Sequence, residues 1–193
     1  VPRVVQPTQF RSGNDTVSLL PAELPGGQAT AAAFQALAAG GAAPVAEAGL
    51  LPASTALVVV DREGMAVSCV FTMNNLFGTG RVAPGTGVLL AAAPGLGQVQ
   101  PPLYAAGIVH NANLRAFRAA AAGSGQQSAP VAAAAPLVAM LRGQTAGAAL
   151  ALVPEPGRGV AAGCSRYLPG PAESCSAAVD SRGAGLAIGE ADR

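Results

Sequence analysis

Between Ala56 and Met73 the chain reads ALVVVD, REG, MAVSCVFTM: an apolar run, a polar turn bearing Gly64, and a second apolar run. The first run is continuous, which suits a strand covered on both faces. The second places Ser68, Val70 and Thr72 on one face and Cys69, Phe71 and Met73 on the other. Residues 57–60 and 66–73 are therefore predicted to pair as an antiparallel hairpin, with Gly64 supplying the turn. GVLLAAA (87–93) is a third apolar segment of strand type.

Elsewhere the blocks are helical or turn-rich. Residues 1–26 read as irregular chain broken by Pro2, Pro7, Pro21 and Pro25, with a short strand candidate at 16–20. GQATAAAFQALAAGG predicts a helix from Gln28 to Ala39, stopped by Gly40 and Gly41. An Ala, Gly and Pro linker then runs over 41–53. The stretch around HNAN (110–113) supports two readings, a helix after Asn113 or a hairpin from Ile108 to Ala121. Residues 128–142 read as a helix capped by Ser128 and ended by Gly143, with Pro136 as a kink or a break. QTAGAALAL adds a short helix, and 174–180 with 184–189 a final hairpin turning at Gly183. Strands, helices and strands in that order predict an α+β layered sandwich.

Composition narrows the function classes. The chain has 193 residues, 51% hydrophobic and 11% charged, enough for a core and too apolar for the compositional class of disorder. Much of the apolar count is alanine, which buries little area per residue. All eleven basic residues are Arg, which together with the Ala, Gly and Pro load suggests a GC-rich genome, and the net charge is +1 with no basic cluster. Nucleic acid is a poor partner for such a surface. No apolar run approaches the ~20 residues that span a bilayer, and VPRVVQPTQF lacks the basic start and apolar block of a signal peptide. GTGRVAPGTG (78–87) lacks the Lys-Ser/Thr of a phosphate loop. Three cysteines form no metal spacing, so no metal or cofactor is expected. Cys69 reads as a small buried hydrophobe. Cys164 and Cys175 each sit in a strand-like stretch and could pair across a loop. His110, the single histidine, reads as a turn residue, and Glu190, Asp192 and Arg193 as a solvated tail.

From Thr55 the pattern T-x-x-x-V-V-D-x-x-G-x-A-V-S, followed by F-T-x-N-x-x-F-G-T-G, resembles the small subunit of the γ-glutamyltransferases. Weaker similarities lie in DTVSLLPAELPGGQATAAAFQAL upstream, and in PGTGVLL, GSGQQS and AAVDSRGAGLAIGEADR downstream. The resemblance implies an αββα sandwich of the N-terminal nucleophile hydrolase type, incomplete here. It also implies a division into residues 1–53, an irregular segment plus helix like the end of the large subunit, and a small-subunit-like domain over 54–193. Carried across by position, the nucleophile falls on Ser54 and the family's second Thr on Thr55. Thr72 and Asn74 match positions that support the nucleophile and bind the substrate amine. The glycine pair of the oxyanion loop falls on Gln126 and Gln127. The bland readings are a polar strand start for Ser54 and Thr55, and strand-end turn chemistry for Thr72 and Asn74.

The departures bear on activity. Where the family carries an Asn- and Asp-rich run for the substrate ammonium, this chain has Ala91, Ala92, Ala93, Pro94 and Gly95. The family's paired Ser falls near Tyr104 and Ala105, and its carboxylate-binding Arg in a part of the family sequence with no counterpart here. The expectation is a non-catalytic accessory or structural subunit, periplasmic or secreted, partnered by other protein subunits. The alternative is an active γ-glutamyl hydrolase or transferase that cleaves itself and uses Ser54 or Thr55 on a small-molecule substrate.

Overall fold

The fold is that of a computed structural model describing residues 3–42, 54–93 and 103–189. It is mixed α+β, with a mostly antiparallel sheet and few helices. Strands β1 (Thr8–Ser12), β2 (Asp15–Leu19), β5 (Ala105–Asn111), β6 (Ala116–Ser124), β7 (Arg158–Leu168) and β8 (Cys175–Val179) form one six-stranded sheet in the order β1-β2-β5-β6-β7-β8. Strands β3 (Ser54–Val60) and β4 (Ala66–Thr72) form a separate hairpin. Helices α1 (Gly27–Ala38), α2 (Ala129–Leu141) and α3 (Ala146–Leu150) pack together, with α2 lying on β5, β6 and β7. The β3–β4 hairpin packs on the opposite side of the same strands.

The alternation along β6 shows why. Ala119 and Ala121 point into the helix-side core with Leu137 and Val131. Phe117 and Ala120 point into a smaller core with Cys164, Leu168, Val58 and Val60 of the hairpin side. α2 is buried at every residue from Ala129 to Met140, as a helix enclosed on all sides must be. It runs unbroken through Pro136.

The predicted β3–β4 pairing is present with Val58 opposite Ser68 and Val60 opposite Ala66. The predicted faces are also present: the Ser68 hydroxyl donates to the Ala121 carbonyl at 3.0 Å, so Ser68, Val70 and Thr72 face the large sheet. Of the two readings near HNAN, the hairpin is found, as β5 and β6.

Several expectations are corrected. β3, read as covered on both faces, leaves Leu57 and Val59 about half exposed. Ser128, read as the cap of α2, makes no side-chain cap bond, and Cys69, read as buried, is only partly so. Thr8–Ser12, expected as irregular chain, is a strand that pairs β2 through a two-residue loop with Gly13 at φ 59°. Residues 87–93 form no strand beyond one bridge, Val82 with Leu89; residues 84–86 form the turn, and Val88 and Leu90 bond back to Ala83, Arg81 and Thr79 as a short irregular loop. Residues 184–189 do not pair with β8, which instead completes its bonds on β7. His110 lies on β5, not in the turn; that turn is made by Asn111, whose side-chain oxygen accepts from the N–H groups of Asn113 and Leu114. The linker residues 43–53 and the tail Glu190 to Arg193 lie outside the described residues.

Candidate functional site

Ser54 opens β3 and is paired with Thr72 at the end of β4. Its side chain is on the inner, half-buried face of the hairpin; Thr55, one residue on, is on the exposed outer face opposite Phe71. Two contacts fix how the hairpin lies on the sheet. Gly64 sits against Leu168 near the end of β7, and Ser68 bonds Ala121 of β6. β4 therefore runs in the same direction as β6. Four further residues at ~3.3 Å each bring Thr72 level with Gly125. The open end of the hairpin, with Ser54 and Thr72, thus shares an edge of the molecule with the loop that enters α2.

That loop is shaped by backbone conformation. Gly125 takes φ 114° and Gln126 φ 57°, and a Cβ on Gly125 would lie 2.9 Å from the Gly157 Cα. A 3-10 turn, Gln126–Ser128, leads into α2. The Ser128 hydroxyl is buried without a hydrogen-bond partner. The 125–128 loop is braced from behind by Val153 to Gly157, which Arg182 ties down by donating to the Val153 and Gly157 carbonyls. Arg182 also pairs with Asp180 at 2.5 Å and Glu155 at 3.0 Å, and Arg158 joins Glu155 at 2.8 Å. Burial raises the Asp180 pKa, but the Arg182 hydrogen bonds outweigh it and hold the carboxyl below its usual range.

At the other side of Ser54 the chain after β4 folds back. Asn74 takes φ 60°, its N–H donates to Thr72 Oγ1 at 3.0 Å, and its side-chain amide donates to the Ala92 carbonyl at 2.5 Å. The Ala92 N–H donates to the Met73 carbonyl at 3.1 Å. Asn74 Oδ1 is buried with no hydrogen-bond partner. Ala91 to Ala93 thus lie beside Asn74, and alanine side chains bring no polar atom there.

The arrangement gathers Ser54, Thr72 and Asn74, and places the Gln126–Gln127 loop on the same edge. Thr55 points away from them. Among the described residues no hydrogen bond reaches the Ser54 hydroxyl and no His or carboxylate pairs with it; a serine without a base is a weak nucleophile. Also among the described residues, no cluster of three potential ligands could hold a metal. Cys164 and Cys175 are directly opposed on β7 and β8 and joined in a disulfide, while Cys69 is free. Sequence reasoning missed the Arg182 brace. The DSRG turn carried its signal: an acid and an Arg two residues apart at a strand end.

A mixed α+β protein with this hairpin on a mostly antiparallel sheet is a class shared by many activities. The sequence comparison is narrower: residues 29–93, from α1 through the hairpin to Ala93, match the family model described as Gamma-glutamyltranspeptidase, which relates this chain to that family. No curated protein and no solved structure matches significantly.

Proposed function

We propose that this protein is a non-catalytic γ-glutamyltransferase-like subunit, built on an incomplete N-terminal nucleophile hydrolase sandwich and acting within a larger protein assembly. The observation that carries the reading is the use of Asn74. Its amide donates to the Ala92 carbonyl, and the flanking side chains are those of Ala91 and Ala93, with no carboxylate among them. A pocket that holds a substrate ammonium away from water needs a carboxylate there. Each missing charged hydrogen bond costs roughly 1.5–3 kcal/mol, and a misplaced substrate also loses the orientation advantage, about 7 kcal/mol or more.

The exposed outer face of the β3–β4 hairpin supports the assembly role. Leu57, Val59, Val67 and Phe71 are each about half exposed there, an apolar surface of the kind that protein partners cover. The disulfide supports an oxidising compartment, the periplasm or the exterior.

The alternative, an active amide hydrolase or transferase after self-cleavage, is favoured by one observation: Ser54 starts a strand on the inner face, level with the α2 entry loop. Intact mass and a γ-glutamyl anilide assay on the purified chain separate the two. A single species without turnover supports the first reading. Fragments divided ahead of Ser54 or Thr55, with turnover lost in Ser54→Ala or Thr55→Ala, establish the second.

A further inference from the structure

A second polar site lies at the other end of the sheet and on its helix side, away from Ser54. It is a cavity of about 430 Å³ lined by the β1–β2 turn, the C-terminal ends of α1 and α2, and the bulged part of β6 and β7. That volume suits a small molecule.

Its charged groups are arranged unusually. Asp15 is 7% exposed, and its Oδ1 accepts from the Tyr167 hydroxyl at 2.8 Å and from the Asn111 amide at 3.3 Å. Its Oδ2 takes no hydrogen bond among the described residues, and Asp15 lines the cavity. No ion pair reaches Asp15 among the described residues. Yet two guanidinium groups line the same cavity. Arg118 donates to the Cys164 and Met140 carbonyls and lies 5.7 Å from the Tyr167 ring centre. Arg142, at the rim, donates to the Leu37 and Ala38 carbonyls that end α1. A guanidinium has five donors, so each keeps donors to spare. Opposite charges are therefore held on separate walls instead of being paired.

The backbone reinforces this. Both registers slip at Arg118: Val109 faces Ala119 while His110 faces Phe117, and on the other side Phe117 faces Leu168 while Ala119 faces Gly163. The extra residue turns Arg118 to the helix side, and the slack in β7 brings Ser165 and Tyr167 to the cavity wall. Bulges commonly re-aim side chains at sites in this way. The remaining wall is apolar, from Ala38, Val138 and Leu141.

We propose that this cavity binds a compact zwitterion with an apolar side chain, an α-amino acid of the leucine type. Its ammonium meets Asp15 Oδ2, its carboxylate meets Arg118 and Arg142, and its side chain lies against Val138 and Leu141. A simple anion fits worse because Asp15 repels it, and a simple cation worse because of the two guanidiniums.

The test is isothermal titration calorimetry of the full chain with L-leucine, leucinamide and isocaproate. Leucine binds saturably at one per chain, and loss of either charged end weakens binding about tenfold or more. Asp15→Asn keeps the acceptor for Tyr167 and binds leucine and isocaproate alike; Arg142→Gln, at the rim, weakens leucine and isocaproate together. No saturable binding of leucine up to about 10 mM, equal affinity for all three compounds, or an unchanged leucine preference in a folded Asp15→Asn protein overturns the proposal.

Discussion

Removing the Arg182 side chain tests whether the C-terminal DSRG turn braces the fold. Arg182 Nε donates to Asp180 Oδ1 at 2.8 Å and its terminal nitrogen to Oδ2 at 2.5 Å, while the Asp180 side chain is only 5% exposed. In Arg182→Ala the carboxylate keeps the backbone N–H of residue 182 at 3.0 Å and loses both charged bonds. Two such bonds at roughly 1.5–3 kcal/mol each set the scale for the Asp180 pair, and the bonds to the Val153 and Gly157 carbonyls and to Glu155 are lost with them. The Arg182 side chain is 32% exposed, so water replaces part of the loss, and the expected cost is about 2–3 kcal/mol. For a chain of this size that lowers Tm by roughly 5–10 °C. Urea unfolding followed by far-ultraviolet circular dichroism reads the change, since the chain has no Trp. The pH dependence has a definite sign. The folded Asp180 pKa lies below its unfolded value, so its contribution is present above the unfolded value and is lost as pH falls through the folded one. The Arg182→Ala protein should therefore lose less stability on acidification than the parent. A change under about 0.5 kcal/mol refutes the brace, and the same cost for Arg182→Ala in an Asp180→Ala background refutes the share assigned to Asp180.

Gly123→Ala should destabilise by about 1–3 kcal/mol or more, because the new Cβ would lie 2.3 Å from the Ala129 carbonyl oxygen and 2.7 Å from the Ala133 nitrogen; a parent-like urea midpoint contradicts that close approach. The purified chain should run as one species near 18.7 kDa and show no γ-glutamyl anilide turnover, checked by mass spectrometry and absorbance. In a Tyr104→Phe background, Tyr167 should ionise above the usual phenol range, since burial first and the bond to Asp15 second raise its pKa. Stability from this group is complete below the unfolded value of about 10 and lost as pH rises through the folded one, and phenolate absorbance against pH measures it.

What the sequence disclosed depended on contrast between neighbouring positions. The β3–β4 hairpin was legible because Asp61, Arg62, Glu63 and Gly64 interrupt two dense apolar runs. α1 was legible because Gly40 and Gly41 stop it. β1, TQFRS, was not: it is an edge strand with exposed Gln9 and Arg11, and its apolar signal is Phe10 alone. The final strand at 184–189 was overread from Leu186 and Ile188, which are exposed at 77% and 73%. At the site, Ser54, Thr72 and Asn74 followed from the local motif, because they lie on one hairpin and its exit. Asp15, Arg118 and Tyr167 come from three distant strands, and only the paired bulges bring them to one cavity. No local pattern announces such a meeting.

Alanine explains both the ambiguity and the way the core closes. A residue that favours helices by propensity carries no strong mark of face, so AFRAAAAGS could be read either way and is the central strand β6. Once folded, the same small side chains let α2 approach the sheet closely. Gly123, Gly159 and Gly163 lie beneath α2 and α3, where a Cβ would strike Ala129, Leu150 or Met140 within 3 Å. Burial of this kind fills space with backbone and methyl groups, and each alanine removes little apolar area from water. The core then depends on few large side chains, among them Phe34, Leu19 and Leu137, all almost fully buried. A fold with so little area per residue gains disproportionately from charged ties such as Arg182 to Asp180 and from the Cys164–Cys175 cross-link. The Arg182 tie secures the 153–157 segment behind the α2 entry loop, so loosening it should disturb the edge of the molecule that holds Ser54 before it disturbs the helix-side core; the cross-link, level with Arg118 and Ala119, secures β8 at the other end.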